Sequence, residues 1–384
     1  MKRTVSLIAI SLLVFAGCAR QDKDANKSPE GNAQENPPTQ ACRAIVPALQ
    51  AVVFIDAETV LVFPGHLTGI ADEEAVNRDR VPLITRDGGE SWNSIAVSPL
   101  DFDAICFSDV SSGWLVKHGS ELWKTTDGGF SWSFVSKIED DDGTLDFSQQ
   151  AKFIDERNGW ILGLTSLWHT DDGGETWSRH EFPWLVDGFF VRGESVWVAL
   201  QYRPEQNNAV YETRDGGTSW DESEIPNTMP TLQDSIDIMD LCFVDEKTGW
   251  LADSRSLYRT DDSGKSWLRQ RLPSRRVRID SICSVGEQEC WAAGYRVLNA
   301  SENKFEAILL HTTDGGGSWQ QVDVGVKQLS FDKVFFSDAQ NGWLVCKDAT
   351  EGDPLFDRSA IIYRTADGGV TWKLVLSVKS PYQS

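Results

Sequence analysis

Positive charge is scarce in this chain. It holds 36 Lys and Arg against 58 Asp and Glu, a formal net charge of −22 over 384 residues. A field of that sign repels phosphate backbones, so nucleic acid is not an expected partner. Long hydrophobic runs are also missing. The apolar stretch from Val5 to Ala16 is too short to cross a bilayer as a mature helix. The 7 Cys and 5 His include no Cys-x-x-Cys pair and no Cys/His cluster, which leaves a zinc site without support. No Ca²⁺-loop spacing is present either. No metal and no cofactor is expected.

What the chain does have is a phrase written seven times: Thr, any residue, Asp, any residue, Gly, any residue, Ser or Thr, then Trp. The copies occupy 85–92, 125–132, 170–177, 213–220, 260–267, 312–319 and 365–372. A fixed phrase recurring every 40 to 53 residues marks a repeat architecture. A second phrase, Phe-x-Asp-x-x-x-Gly-Trp, starts at Phe107, Phe153, Phe243 and Phe336, with eroded copies at Phe54, Phe190 and near Cys283–Trp291. These two phrases account for most of the 16 Trp.

In the second unit, Ala104-Ile105-Cys106-Phe107, Trp114-Leu115-Val116, Leu122–Thr125 and Ser131–Val135 read as four short strands separated by turn residues, a meander. Gly113 and its equivalents are expected to supply positive φ. The Asp of each phrase is expected to accept backbone N–H bonds from its own turn. Asp87, Asp127, Asp172, Asp215, Asp262, Asp314 and Asp367 therefore read as structural, since an active site is needed once and not seven times. A lone meander cannot bury both faces. Seven arranged radially can, with only short protected edges left. The expected fold is all-β: a seven-bladed β-propeller of four-stranded antiparallel meanders over 41–384. Closure could be blade on blade, or could use Arg43–Leu49 as a clasping strand.

The N-terminus stands apart. Lys2 and Arg3 ahead of the apolar run suit a secretory signal over 1–17. The run ends Phe15-Ala16-Gly17-Cys18, which resembles a bacterial lipobox and makes Cys18 the expected lipidation site. Residues 18–40 are polar, without apolar periodicity, and read as a disordered tether. The expected location is the periplasmic or extracellular face of a membrane, anchored by lipid. Export permits disulfides, and Cys283 and Cys290 flank one tight turn that they could bridge. Cys106, Cys242 and Cys283 share one place in three repeats and read as small buried hydrophobes. His169 and His311, each one residue before a phrase, read as exposed strand residues.

Turns one and three of each meander carry the two phrases, so one face is uniform. Connections two and four reach the other face and vary, which is where binding is expected. The long ones include Gly65–Arg80, Lys137–Phe147, Tyr202–Asn208, Ser223–Ser235, Val297–Phe305 and Asp348–Arg358, mostly acidic. One stretch is basic. Arg269, Arg271, Arg275, Arg276 and Arg278 fall between units five and six and suit an acidic protein partner, unless nearby Asp and Glu neutralise them. Trp184 is a candidate sugar- or peptide-binding residue if exposed, and a seam residue if it packs with Phe182 and Leu185.

The first phrase resembles the Asp-box, or bacterial neuraminidase repeat. Together with companion phrases such as Gly113-Trp114-Leu115 and Gly249-Trp250-Leu251, it resembles the photosystem II stability/assembly factor family. That resemblance implies a non-enzymatic scaffold that holds a membrane-protein intermediate during assembly, and photosynthetic members of the family are associated with an arginine-rich docking surface; a monomer is the expected state. The alternatives are a sialidase-like glycoside hydrolase and a carbohydrate-binding propeller. The sialidases' early Phe/Tyr-Arg-Ile-Pro motif is absent from the sequence, and Tyr211, Tyr258 and Tyr363 sit at equivalent strand places.

Overall fold

The computed structural model describes residues 49–64, 82–95, 102–117, 120–139, 150–200, 208–226, 238–274, 276–299, 304–326, 329–348 and 360–378. The expected signal segment, Cys18 and the tether lie outside the described residues, as does most of the long-loop sequence. Every described element is a strand. Twenty-eight strands form seven sheets, each of four strands consecutive in the chain. Pairing within the sheets is antiparallel, as in the blade spanning 104–137. First strands of neighbouring blades pack on one another around the axis. Fourth strands such as Asp221–Glu224 form the solvated outer edge. The protein is a seven-bladed β-propeller. Second strands lie between two neighbouring blades and are apolar on both sides, so Gly113–Lys117 and Ser195–Leu200 are buried throughout.

The two phrases build the seams. Trp114 stacks on Phe153 of the next blade at 4.1 Å between ring centroids, Trp197 on Phe243 at 3.8 Å, and Trp291 on Phe336 at 4.3 Å. In four blades a glycine precedes the second-strand Trp and makes room for the Phe of its own blade. Gly113, Gly159, Gly249 and Gly342 do not adopt positive φ, contrary to the sequence expectation. Each instead faces a cross-strand Phe ring, and an added Cβ would fall 2.6 Å from Phe107, 2.2 Å from Phe153, and 2.5 Å from Phe243 or Phe336. In the sixth blade Ser284 replaces that Phe, and Cys290 stands opposite it in the glycine's place. With no ring to cover, a side chain fits, and Cys290 is fully buried beside Trp250.

Positive φ belongs to the Asp-box turns, for example at Gly128 and Gly129; Ser263 adopts it at the one position where the first glycine is replaced. In the second blade, Asp127 Oδ1 accepts the Ser131 N–H at 2.9 Å and the Thr125 hydroxyl at 2.8 Å. Its Oδ2 accepts the Ser131 hydroxyl, and Thr125 Oγ1 accepts the Gly129 N–H. The Gly128 N–H then donates to Ser111 O, tying the third turn to the first.

Cys283 and Cys290 are free thiols. The bridge considered from sequence does not form, because the two face opposite sides of their sheet. Cys283 pairs across the strands with Trp291, and Cys290 with Ser284. Successive strand residues point to opposite faces, so the two thiols enter different seams. Oxidative refolding is expected to leave the pair unlinked. A non-reducing digest yielding a Cys283–Cys290 cross-linked peptide would contradict this placement. Cys283 does more than fill space: its Sγ accepts the Phe336 N–H of the next blade at 3.1 Å. Burial pushes its thiol up to about 12. Asp187 and Asp240 likewise accept the Ile238 and Ile282 N–H groups across their seams. The free inner edges of these first strands are thus satisfied by side chains from the preceding blade.

Of the clasping strand considered for Arg43–Leu49, residues 43–48 lie outside the described residues. Leu49 belongs to the first strand of blade 1, and blade 7 meets blade 1 directly through Phe54, Val60, Val62, Trp343 and Leu376.

Candidate partner-binding surface

First strands start, and fourth strands end, on the face opposite the phrase turns, so the connection from blade 5 to blade 6 lies on the variable face. Arg269 ends the two-residue outer strand Leu268–Arg269 and is exposed, as are Arg271 and Arg276. Arg276 holds a φ of 58° without being glycine, which orients the chain sharply into the first strand of blade 6. Arg275 lies outside the described residues. Arg278 is drawn out of the cluster: its Nε donates to Asp280 at 2.8 Å, and its Nη2 lies 3.4 Å from Met239 Sδ. Arg269 is partly countered from below. Burial raises the Asp253 carboxyl, and Arg269 acts against that rise. Burial likewise pushes Tyr258 up to about 12. Beside the guanidinium groups, Leu268 is 72 % exposed.

Sequence reasoning missed Arg296. It pairs with Glu306 on the neighbouring strand and donates to Ser274 Oγ at 3.1 Å, holding down the basic connection. The signal was available in part. Strands Cys290–Asn299 and Lys304–Thr312 extend into what reads as the loop Val297–Phe305. Tyr295 packs edge-on against Phe305 at 5.1 Å, and Arg296 faces Glu306, both favourable cross-strand pairs.

Trp184 is 38 % exposed and Leu185 48 % exposed, in the connection from blade 3 to blade 4. The seam packing considered for Trp184 falls to Phe182 instead, which meets Tyr211 and Trp220. His169 and His311 are not exposed strand residues. Each is half-buried with its ring stacked on an indole, Trp160 at 3.8 Å and Trp291 at 3.7 Å. Burial lowers both imidazole pKa values, with Glu289 opposing the shift at His311. Lys124, Arg259 and Arg364 cover the equivalent Trp in their own blades. A cation or imidazole above the indole is therefore a structural layer of this ring.

At the mouth of the axis, Gln150, Asp187, Gly188 and Asp240 line a small pocket. Burial raises the Asp240 carboxyl, with Lys333 opposing, and it already accepts the Ile282 and Leu241 N–H groups. Among the described residues, no group of three or more His, Cys, Asp or Glu could hold a metal ion. The Tyr211 hydroxyl donates to Glu222 at 2.7 Å, a tyrosine–carboxylate pair, but on the two outer strands of blade 4, away from the axis.

Fold and repeat chemistry define the class: a BNR-type seven-bladed propeller. Within that class the chain resembles the photosystem II assembly factor. The family model described as "Photosynthesis system II assembly factor YCF48" matches residues 89–221, and "Sortilin, neurotensin receptor 3" matches 208–355. "Photosystem II stability/assembly factor HCF136, chloroplastic" from Oryza sativa subsp. japonica is 26 % identical over 159 residues, covering 39 % of this chain and 33 % of that protein. "Xyloglucanase Xgh74A" from Acetivibrio thermocellus is 28 % identical over 149 residues, 33 % of this chain and 17 % of the enzyme. The chain thus matches a third or less of the length of these relatives. The solved structure "YCF48 bound to D1 peptide" superposes with a TM-score of 0.58 at 18 % identity, covering 84 % of this chain and 95 % of that one. At that identity the likeness speaks to fold.

Proposed function

We propose that this chain is an exported lipoprotein, anchored through Cys18, whose propeller is a non-enzymatic scaffold for protein partners, a membrane-protein complex among them. One observation carries the reading. On a chain of net charge −22, exposed Arg269, Arg271 and Arg276 gather on the irregular face, while the seven recurrent carboxylates are engaged in their own turns. Guanidinium forks suit the carboxylates of an acidic segment, and Leu268 offers an apolar contact beside them. A relative named as an assembly factor and a structural neighbour solved with a bound peptide support a binding role over a catalytic one.

Affinity capture from detergent-solubilised membranes tests it. The full chain is expected to recover one defined membrane complex. The double variant Arg271→Glu, Arg276→Glu should recover about ten-fold less, the loss expected for removing charge-assisted contacts worth about 1.4 kcal/mol. Equal recovery by the variant, or sialidase or glucanase turnover by the purified propeller, would overturn the reading.

A further inference from the structure

We propose that the seam between blades 7 and 1 is an ionic latch, the place where the ring parts before it parts anywhere else. The chain runs from each blade to the next, so among the described residues this is the seam that no inter-blade connection bridges. Its Trp–Phe contact is also looser. Trp343 meets Phe54 at 6.3 Å and 39°, whereas the Trp–Phe stacks in three other seams lie at 3.8 to 4.3 Å and within 11°. Phe54 stacks across the seam on Phe335 of blade 7, at 5.1 Å between centroids, so the indole is left without a ring in close parallel contact.

The inner edge differs as well. In blades 5 and 6, Asp240, Ser281 and Cys283 accept backbone N–H groups of the following blade. Blade 7 places Lys333 and Phe335 at the corresponding registers, opposite Val345 and Trp343. Neither side chain has an acceptor atom to offer.

Charge takes over. Arg364 Nη2 meets Glu58 Oε1 at 2.6 Å, and Lys373 Nζ meets Glu90 Oε1 at 2.6 Å. Arg364 also covers Trp343 and donates to Gly88 O at 3.2 Å. A Cβ at Gly88 would lie 1.7 Å from its Nη1, so the guanidinium occupies a slot that only glycine leaves. Glu58 is 51 % exposed, and Lys373 and Glu90 are both 64 % exposed. The Arg364 side chain is mostly covered, but water and ions reach the Glu58 carboxylate and both partners of the second pair, so salt screens them. Parting here separates no paired strands, because each sheet is complete with its own four.

Hydrogen exchange on the full chain, read by mass spectrometry, tests the latch. Raising NaCl from about 0.05 M to about 1 M should speed exchange in 49–64 and 360–378 by about five-fold, and leave 238–260 unchanged. The double variant Glu58→Gln, Glu90→Gln should show the fast exchange already at low salt and lose the salt dependence. The exposed single variant Lys373→Gln serves if the double variant does not fold, and should shift the same peptides part of the way. Exchange that is insensitive to salt, or that rises equally in all blades, would overturn the latch.

Discussion

Gly159→Ala is expected to destabilise the propeller by about 3 kcal/mol, the upper end of the range for overpacking a core. The reason is not backbone strain, since Gly159 does not occupy the left-handed region. Its new methyl would lie 2.2 Å from the Phe153 ring. That ring cannot retreat. It stacks at 4.1 Å on Trp114, which is fully buried and covered on its own blade by Lys124. Urea unfolding of the variant reads the loss. A double-mutant cycle identifies its cause. With Phe153→Ala in place, the clash disappears, and Gly159→Ala should cost less by about 1–3 kcal/mol than it does alone. An equal cost in both backgrounds would sink the ring-over-glycine account. Blade 6 displays the compensated pair naturally, with Ser284 in the Phe place and Cys290 in the glycine place.

Blade number, strand order and the two faces were legible because the two phrases recur in the same order along the chain, and each phrase marks one turn. The reasons behind individual residues were less so. Glycine before Trp reads as a φ requirement in a single sequence, because the ring that excludes a side chain lies across a strand pair whose register has to be seen. His169 and His311 look like surface residues by alternation, yet the indole beneath them comes from the adjacent strand of the same blade. Cys283 and Cys290 look like a hairpin bridge by spacing, and only the pairing of Cys283 with Trp291 shows that they face apart. The candidate surface was visible as a basic run, but not its sorting. Arg278 reaches back to Asp280 on its own strand, while Arg271 and Arg276 stay in solvent. Such sorting depends on where side chains point, which carries no period along the chain.

Acid should unfold this protein between about pH 4 and about pH 2, through its turns. Hydrogen bonds from Ser91 hold Asp87 at about 2, and those from Ser219, Ser318 and Thr371 do the same for Asp215, Asp314 and Asp367. Asp127, Asp172 and Asp262 shift the same way. In the first turns, hydrogen bonds from Ser111 hold Asp109 at about 2, and Asp155, Asp245 and Asp338 are also lowered. A carboxyl lowered in the folded state contributes stability above its unfolded value of 3.8 and loses it as pH falls through its folded value. Glu212, Asp240 and Asp253 are raised by burial and act in the opposite sense, but they are few beside the turn carboxylates. Each turn group is solvent-accessible and contributes little alone. Their number makes the transition steep, with net proton uptake on unfolding throughout the window. Salt separates this mechanism from the loss of surface ion pairs. The carboxylates are held by N–H and O–H groups of their own turns, which ions do not screen as they screen exposed charge pairs. The acid midpoint of circular dichroism at about 1 M NaCl should therefore stay close to its low-salt value. A midpoint that moved by more than about one pH unit would assign acid lability to ion pairs, and the turns would lose their claim on it.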